Sequence, residues 1–397
     1  MKEILTGKEL EKRAKRLCAV ATEKYPDWDT IIILGRVNQY YFTGTMQDGI
    51  LIVKRDGKLM YFARRSYERA KIESPISDCI YSMEKYSDAA AVCGKLFGNT
   101  LIETDIATIE VLERLQSKFE IGRIYPLKKI LSEIRAIKSP YELDAIREAG
   151  KRHKCLLEEV VPGILREGMS EVELSAELFE KMLKLGHQGV SRFSSYQTEM
   201  IIGQIAFGVN SLYPTNFDGP GGMKGLSPAV PLFGSLNTLL KKGDLVFIDV
   251  GFCVEGYHSD KTQVYMFGGK PTEEVEKTHR QCIEIQKKTA SLLKPGNIPS
   301  EIYNSIMSCL ESSFLENFMG FGDRKVRFLG HGVGLHVDEL PVIAKGFDNP
   351  LKENMVFALE PKKGIPQVGM VGGEDTYIIT SDGGECITGG ERDIILV

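Results

Sequence analysis

The sequence predicts an α+β fold in two domains, and three observations carry that prediction. The chain has 397 residues, more than one ordinary hydrophobic core organises. Two serine-led helix starts, Ser139-Pro140-Tyr141-Glu142 and Ser170-Glu171-Val172-Glu173, follow a first third of different character. Helix pairs then alternate with long antiparallel strands, an α+β layout. The boundary falls close to Ala136. A smaller α/β domain is expected over 1–135 and a larger α+β domain over 136–397.

In the first domain, residues 30–34 form a β-branched run, and residues 50–54 and 59–63 flank Asp56-Gly57, a strong hairpin signal. Residues 106–119 place Ile109, Leu112, Leu115 and Phe119 at helical spacing. This half has no histidine and no convergent set of carboxylates. Its expected role is structural: shaping a cleft or mediating association.

The second domain opens on a capping box, with serine as cap, proline at the first helical position and glutamate at the third. The serine-to-glutamate cap recurs at Ser170, and that helix should stop near Gly186. A further helix is expected within 272–293, stopped by Pro295-Gly296, and another from Ser300. The glycine- and proline-rich stretch 207–235 contains Asp218-Gly219-Pro220-Gly221-Gly222 but no GK[ST] at a helix start. It reads as an ordered rim loop rather than a phosphate cradle.

Composition narrows the function classes. A 43 % hydrophobic and 26 % charged chain is that of a soluble globular protein. Its net charge of -4, with acids and bases mixed, argues against a nucleic-acid-binding stripe. No apolar run approaches the roughly 18 residues of a membrane span. The start, MKEILTGKELEKRAKR, is charged where a signal peptide needs an apolar core. Eight cysteines without a CxxC pair fit reduced thiols, hence a cytoplasmic location.

The chemistry collects around residues 245–262, LVFIDVGFCVEGYHSDKT, which read as two strands carrying Asp249 and Asp260. With a two-residue turn at Val254-Glu255, these would pair directly, their Cβ atoms about 5 Å apart. Two such carboxylates repel one another unless one is protonated or a cation intervenes, and a metal ion is the natural third party. Three features join them: His331 enclosed by glycines in Gly330-His331-Gly332-Val333-Gly334-Leu335, Glu360 at the end of an apolar strand before Pro361, and Glu374 opening Asp375-Thr376-Tyr377. Alone, each has an ordinary explanation as a turn or surface residue. Five such groups on strands of one domain do not.

The order Asp, Asp, His in HGxGL, Glu before Pro and Glu before Asp-Thr resembles the pita-bread metallopeptidase family, which includes methionine aminopeptidase, aminopeptidase P, prolidase and creatinase. Tyr41-Phe42-Thr43-Gly44 and Arg64-Arg65-Ser66-Tyr67-Glu68-Arg69-Ala70 resemble the creatinase-type N-terminal domain, and Arg135-Ala136-Ile137-Lys138-Ser139-Pro140-Tyr141-Glu142 resembles the helix entry of the prolidase branch. The resemblance implies a pita-bread catalytic domain and a homodimer. It implies two divalent metal ions, manganese foremost, with zinc, cobalt or iron as alternatives. Asp249 would chelate one metal, Asp260 and Glu374 would bridge, and His331 and Glu360 would bind the second. Glu360 would also manage protons on a metal-bridging hydroxide. The implied reaction is hydrolysis of a small peptide or amide, of the Xaa-Pro aminopeptidase or dipeptidase type.

The chain departs from the family where substrate is handled. Family histidines are replaced by Thr215, Arg327 and Asp338, and His336 would share a face with Asp338 in an extended strand. Arg327, His336 and Asp338 form either an ion pair on the rim or a substitute recognition set, with Tyr213 and Thr215 beside it. Two other functions stay open: a same-fold hydrolase of a non-peptide amide or amidine, and a metal-retaining binding protein without turnover.

Overall fold

The computed structural model describes residues 4–195 and 198–397, so Met1, Lys2 and Glu3 of the charged start lie outside the described residues. Contacts divide the chain into two compact units, Met1–Arg135 and Ala136–Val397.

The first unit is built on β1 (Thr30–Ile33), β2 (Gly49–Lys54), β3 (Leu59–Ala63), β4 (Ile80–Ser82), β5 (Leu96–Ile102) and β6 (Glu120–Pro126), in the sheet order β4-β3-β2-β1-β5-β6. The Asp56-Gly57 hairpin forms, with Gly57 at φ 85 where a side chain would be strained, and β2 pairs antiparallel with β3. Ile32, Ile52, Phe62 and Phe97 fill the core on one face. The helix expected over 106–119 is shorter, Ile109–Gln116, capped by Thr108. Its apolar stripe is only partly used: Leu115 is buried, whereas Ile109 is exposed. Glu103, a buried carboxylate, accepts from the Leu34 and Gly35 N–H groups and from Asn38, which secures the start of the helix Arg36–Thr43.

The second unit contains β7 (Gly203–Phe207), β8 (Leu245–Val254), β9 (Tyr257–Met266), a short hairpin of β10 (Gly320–Phe321) and β11 (Arg324–Lys325), β12 (Phe328–Gly332), β13 (Glu339–Ala344), β14 (Val356–Leu359), β15 (Lys362–Ile365), β16 (Gly369–Gly372), β17 (Asp375–Thr380), β18 (Gly383–Cys386) and β19 (Ile395–Leu396). One sheet runs β19-β9-β8-β7, a second β13-β12-β14-β17-β18, and β15 pairs with β16. Helices Pro140–Cys155 and Glu171–Lys184 start at the predicted capping boxes and pack on the first sheet, where Leu157, Leu178, Ile248 and Phe252 share a core. Helices Glu273–Ser291 and Pro299–Met307 cover the second, through Cys282, Ile302, Leu329 and Phe357. The stretch after β7 is a single short helical turn, Gly208–Leu212, followed by irregular chain.

Register corrects one expectation. The β8–β9 turn uses Glu255 and Gly256, both at positive φ (52 and 79), the geometry of a tight hairpin that suits glycine at its second position. Asp249 therefore faces Thr262, and Asp260 faces Gly251. The two aspartates are diagonal neighbours rather than a direct pair, and they remain on one face because the shift is an even number of residues.

Candidate metal centre

Each acidic group is placed by a strand. Asp249 lies in β8 directly opposite Gln204 of β7. Glu360 follows the last residue of β14 and Glu374 precedes the first of β17, two antiparallel neighbours. A bridge between Thr262 and Glu374 joins this second sheet to β9. His331 of β12 faces Ala358 of β14. That approach requires the glycine before it, because a Cβ on Gly330 would lie 2.2 Å from the Ala358 carbonyl oxygen.

The five sequence-predicted residues meet at one place. His331 Nε2 lies 3.5 Å from Glu360 Oε1, 3.7 Å from Glu374 Oε1 and 3.9 Å from Asp260 Oδ2. Ligand atoms of Asp260, His331 and Glu374 lie within 4.8 Å of one another, as do those of Asp249, Glu360 and Glu374. Asp249, Asp260, Glu360 and Glu374 are buried. Glu374 Oε1 is buried with no hydrogen-bond partner among the described residues. Such an atom beside a histidine and an aspartate fits a divalent cation, since oxygen and imidazole donors suit transition metals.

A sixth residue was not foreseen. Lys362, with its side chain 0 % exposed, donates to Asp249 Oδ2 at 2.8 Å, Glu360 Oε2 at 2.9 Å and Glu374 Oε2 at 2.7 Å. One signal could have found it: in an extended chain residues two apart share a face, so Lys362 points where Glu360 points.

Burial dominates the electrostatics. It pushes the Glu374 carboxyl up to about 8, with Glu360 adding repulsion and Lys362 opposing. Glu360 rises to about 7, again through burial, with Lys362 pulling the other way. Asp260 is raised through burial and the neighbouring Glu374 and Asp249 carboxylates. Burial alone would lower the Lys362 ammonium, but Asp249, Glu360 and Glu374 together hold it well above its usual value. Three carboxyls favouring protons and one ammonium holding its own mark a site short of positive charge.

The acidic cluster lines a pocket of about 210 Å³. Among the proposed recognition residues, only Asp338 is in its lining. Gly334–Asp338 bends instead of extending, so His336 and Asp338 do not share a strand face. His336 lies 3.9 Å from Glu339 across Nδ1 and Oε1, while Asp338 accepts from Ser194 N–H at 2.5 Å. Arg327 and Tyr213 are exposed, and Thr215 accepts from Phe217 N–H; none of the three lines the pocket. The rim loop contributes Phe217 and Asp218 instead. Gln204 also lines the pocket, and both ends of its buried amide lack partners among the described residues.

Comparisons with known proteins place the whole chain. A Xaa-Pro dipeptidase of Pyrococcus furiosus is 28 % identical over 380 residues, covering 92 % of this chain and 95 % of that protein. A Xaa-Pro dipeptidase of Pyrococcus horikoshii is 28 % identical over 375 residues, 92 % of this chain and 94 % of its own length. Among solved structures, the prolidase from Pyrococcus furiosus superposes with a TM-score of 0.75 at 26 % identity, over 94 % of this chain and 100 % of that one. The Xaa-Pro dipeptidase from Bacillus anthracis gives 0.77 over 98 % of this chain and 100 % of its own, at 21 % identity, a likeness of fold alone. The creatinase/prolidase N-terminal domain model matches residues 13–137, and that of metallopeptidase family M24 matches residues 144–381. With a creatinase-type N-terminal domain followed along the chain by the pita-bread fold, the chain belongs to metallopeptidase family M24.

Proposed function

We propose that this enzyme is a metal-dependent hydrolase of short peptides, of the Xaa-Pro dipeptidase or aminopeptidase type. What supports the reading is the convergence of Asp260, His331, Glu360 and Glu374 on one pocket wall, with the unpartnered Glu374 Oε1 among them. Asp260, His331 and Glu374 would hold a divalent ion, with Glu360 adjoining. Such an ion supplies Lewis-acid polarisation of a carbonyl and a water of lowered pKa.

The chain's own residues do the rest. Glu360 has one oxygen on Lys362 and the other toward His331, which places it to carry a proton to the leaving amine. Gln204 offers an amide donor and acceptor to a substrate backbone. Asp338, on the same wall, suits a substrate amino group. Arg327, His336, Tyr213 and Thr215 have no part in this recognition set. Manganese as the ion, a homodimer and a cytoplasmic location belong to the same proposal.

The test is turnover of Xaa-Pro dipeptides, Xaa-Pro-Yaa tripeptides, other dipeptides and creatine-like amidines by protein loaded with manganese, cobalt or zinc. Cleavage of Xaa-Pro bonds is the expected result. Turnover of amidines alone would move the enzyme to non-peptide substrates, and turnover of nothing by loaded protein would leave a binding role.

A further inference from the structure

The two buried glutamates each serve two neighbours at once. Glu360 and Glu374 turn Oε2 to the Lys362 ammonium and Oε1 toward His331. They therefore span two cation positions side by side. One, bounded by Asp249, Glu360 and Glu374, contains Lys362 Nζ at 2.8, 2.9 and 2.7 Å from its three carboxylate oxygens. The other, bounded by Asp260, His331 and Glu374, has the unpartnered Glu374 Oε1.

Metal–carboxylate oxygen bonds are about 2.0–2.2 Å long. An ion held by Asp249, Glu360 and Glu374 would have to lie on the ammonium itself. The three protons of that ammonium meet three carboxylates, so its donors are satisfied where it stands. Its backbone is fixed by pairing of Lys362 with Gly372, and its side chain has no solvent-exposed surface through which to swing aside. An unpaired ammonium moved elsewhere in this interior would be strongly unfavourable.

We infer that Lys362 is a built-in cation standing in place of one of the two expected metal ions, and that the centre takes a single divalent ion on its Asp260–His331–Glu374 side. This rests on the metal-dependent reading above and sets the stoichiometry at one ion, where the family resemblance implies two. The donors of the first position do not fit a second ion while Lys362 is present. Asp249 then acts as the partner of the lysine rather than as a metal ligand.

The experiment is equilibrium dialysis of metal-free protein against Mn²⁺, with bound manganese per chain measured by mass spectrometry and its environment by electron paramagnetic resonance. Wild type is expected to bind one ion with the hyperfine pattern of isolated Mn²⁺. Lys362→Ala is expected to double the stoichiometry and show the signature of a coupled pair. Asp249→Asn gives a test that does not depend on that variant folding: it should still bind one ion. Two coupled ions in wild type, or loss of the ion in Asp249→Asn, would overturn the inference. One ion with no peptide turnover would overturn the peptidase reading alone, and no bound ion would overturn both.

Discussion

Asp260 lies diagonal to Asp249 across β8 and β9, with Gly251 directly opposite, and it shares the open side of the cluster with His331. Asp260→Asn should therefore remove the bound ion and the activity together, with kcat/KM falling at least about a hundredfold, roughly 3 kcal/mol of transition-state stabilisation. Metal content and hydrolysis measured on the same sample check this, and a variant that keeps its ion would refute the assignment. Gln204 gives a second prediction. A buried amide without partners costs about 1–3 kcal/mol, so its retention on the pocket wall points to a ligand that satisfies it. Gln204→Leu should leave thermal stability unchanged or slightly raised while kcat/KM for a peptide drops about tenfold. Unaltered kinetics with a lowered Tm would make Gln204 a structural residue instead.

Strands, more than individual side chains, decide what can meet in this site. β12 lies so close to β14 that only glycine fits at 330, and that approach carries His331 to the glutamates on either side of the β14–β17 pair. Gly330→Ala should force the strands apart, lowering stability by about 1–3 kcal/mol, as overpacking typically does. Because His331 moves with the strand, metal affinity should weaken as well, which calorimetric titration with Mn²⁺ would detect. A variant with reduced Tm and intact affinity would separate the two roles.

At the scale of the molecule, histidines make the catalytic unit sensitive to acid. His187 and His258 are each held at about 4, by burial in both cases, and His153 is lowered by its complete burial. A folded-state pKa below that of the unfolded chain means the unfolded state takes up protons first as pH falls. The associated stability is present above about 6.5 and is lost progressively toward pH 4. For His187, whose Nδ1 accepts from Cys253 N–H at 3.0 Å, the test is a comparison with His187→Gln. The stability gap between wild type and variant should narrow by about 2 kcal/mol between pH 7 and pH 5. A gap independent of pH would show that His187 is not kept neutral by its surroundings.

Much of this molecule was legible in its residues. Ser139 and Ser170 announced helices because caps act locally, and the ordered series from Asp249 to Glu374 announced a cluster because few other roles gather such groups on strands. The β8–β9 register was misjudged by a single turn position, since Val254-Glu255 and Glu255-Gly256 both make two-residue loops and only the positive φ of Gly256 separates them. Lys362 is not legible in the sequence because a lysine near a strand end usually reaches solvent, whereas here its ammonium meets Asp249, which is distant in sequence, as well as Glu360 and Glu374. The recognition residues were the least legible. Whether His336 or Asp338 enters the pocket depends on the bend over residues 334–338, and Asp338 is held there by Ser194, which is distant in sequence.

Lys362 has one more effect, on how the protein endures scarcity. A cation carried on the chain has no free concentration and no rate of escape, so a chelator cannot draw it out. Where a site built wholly on exchangeable ions would be left with four carboxylates in mutual repulsion, this one keeps three of them gripped by Nζ. Removing metal from the protein should therefore lower its activity before it lowers the stability of the fold.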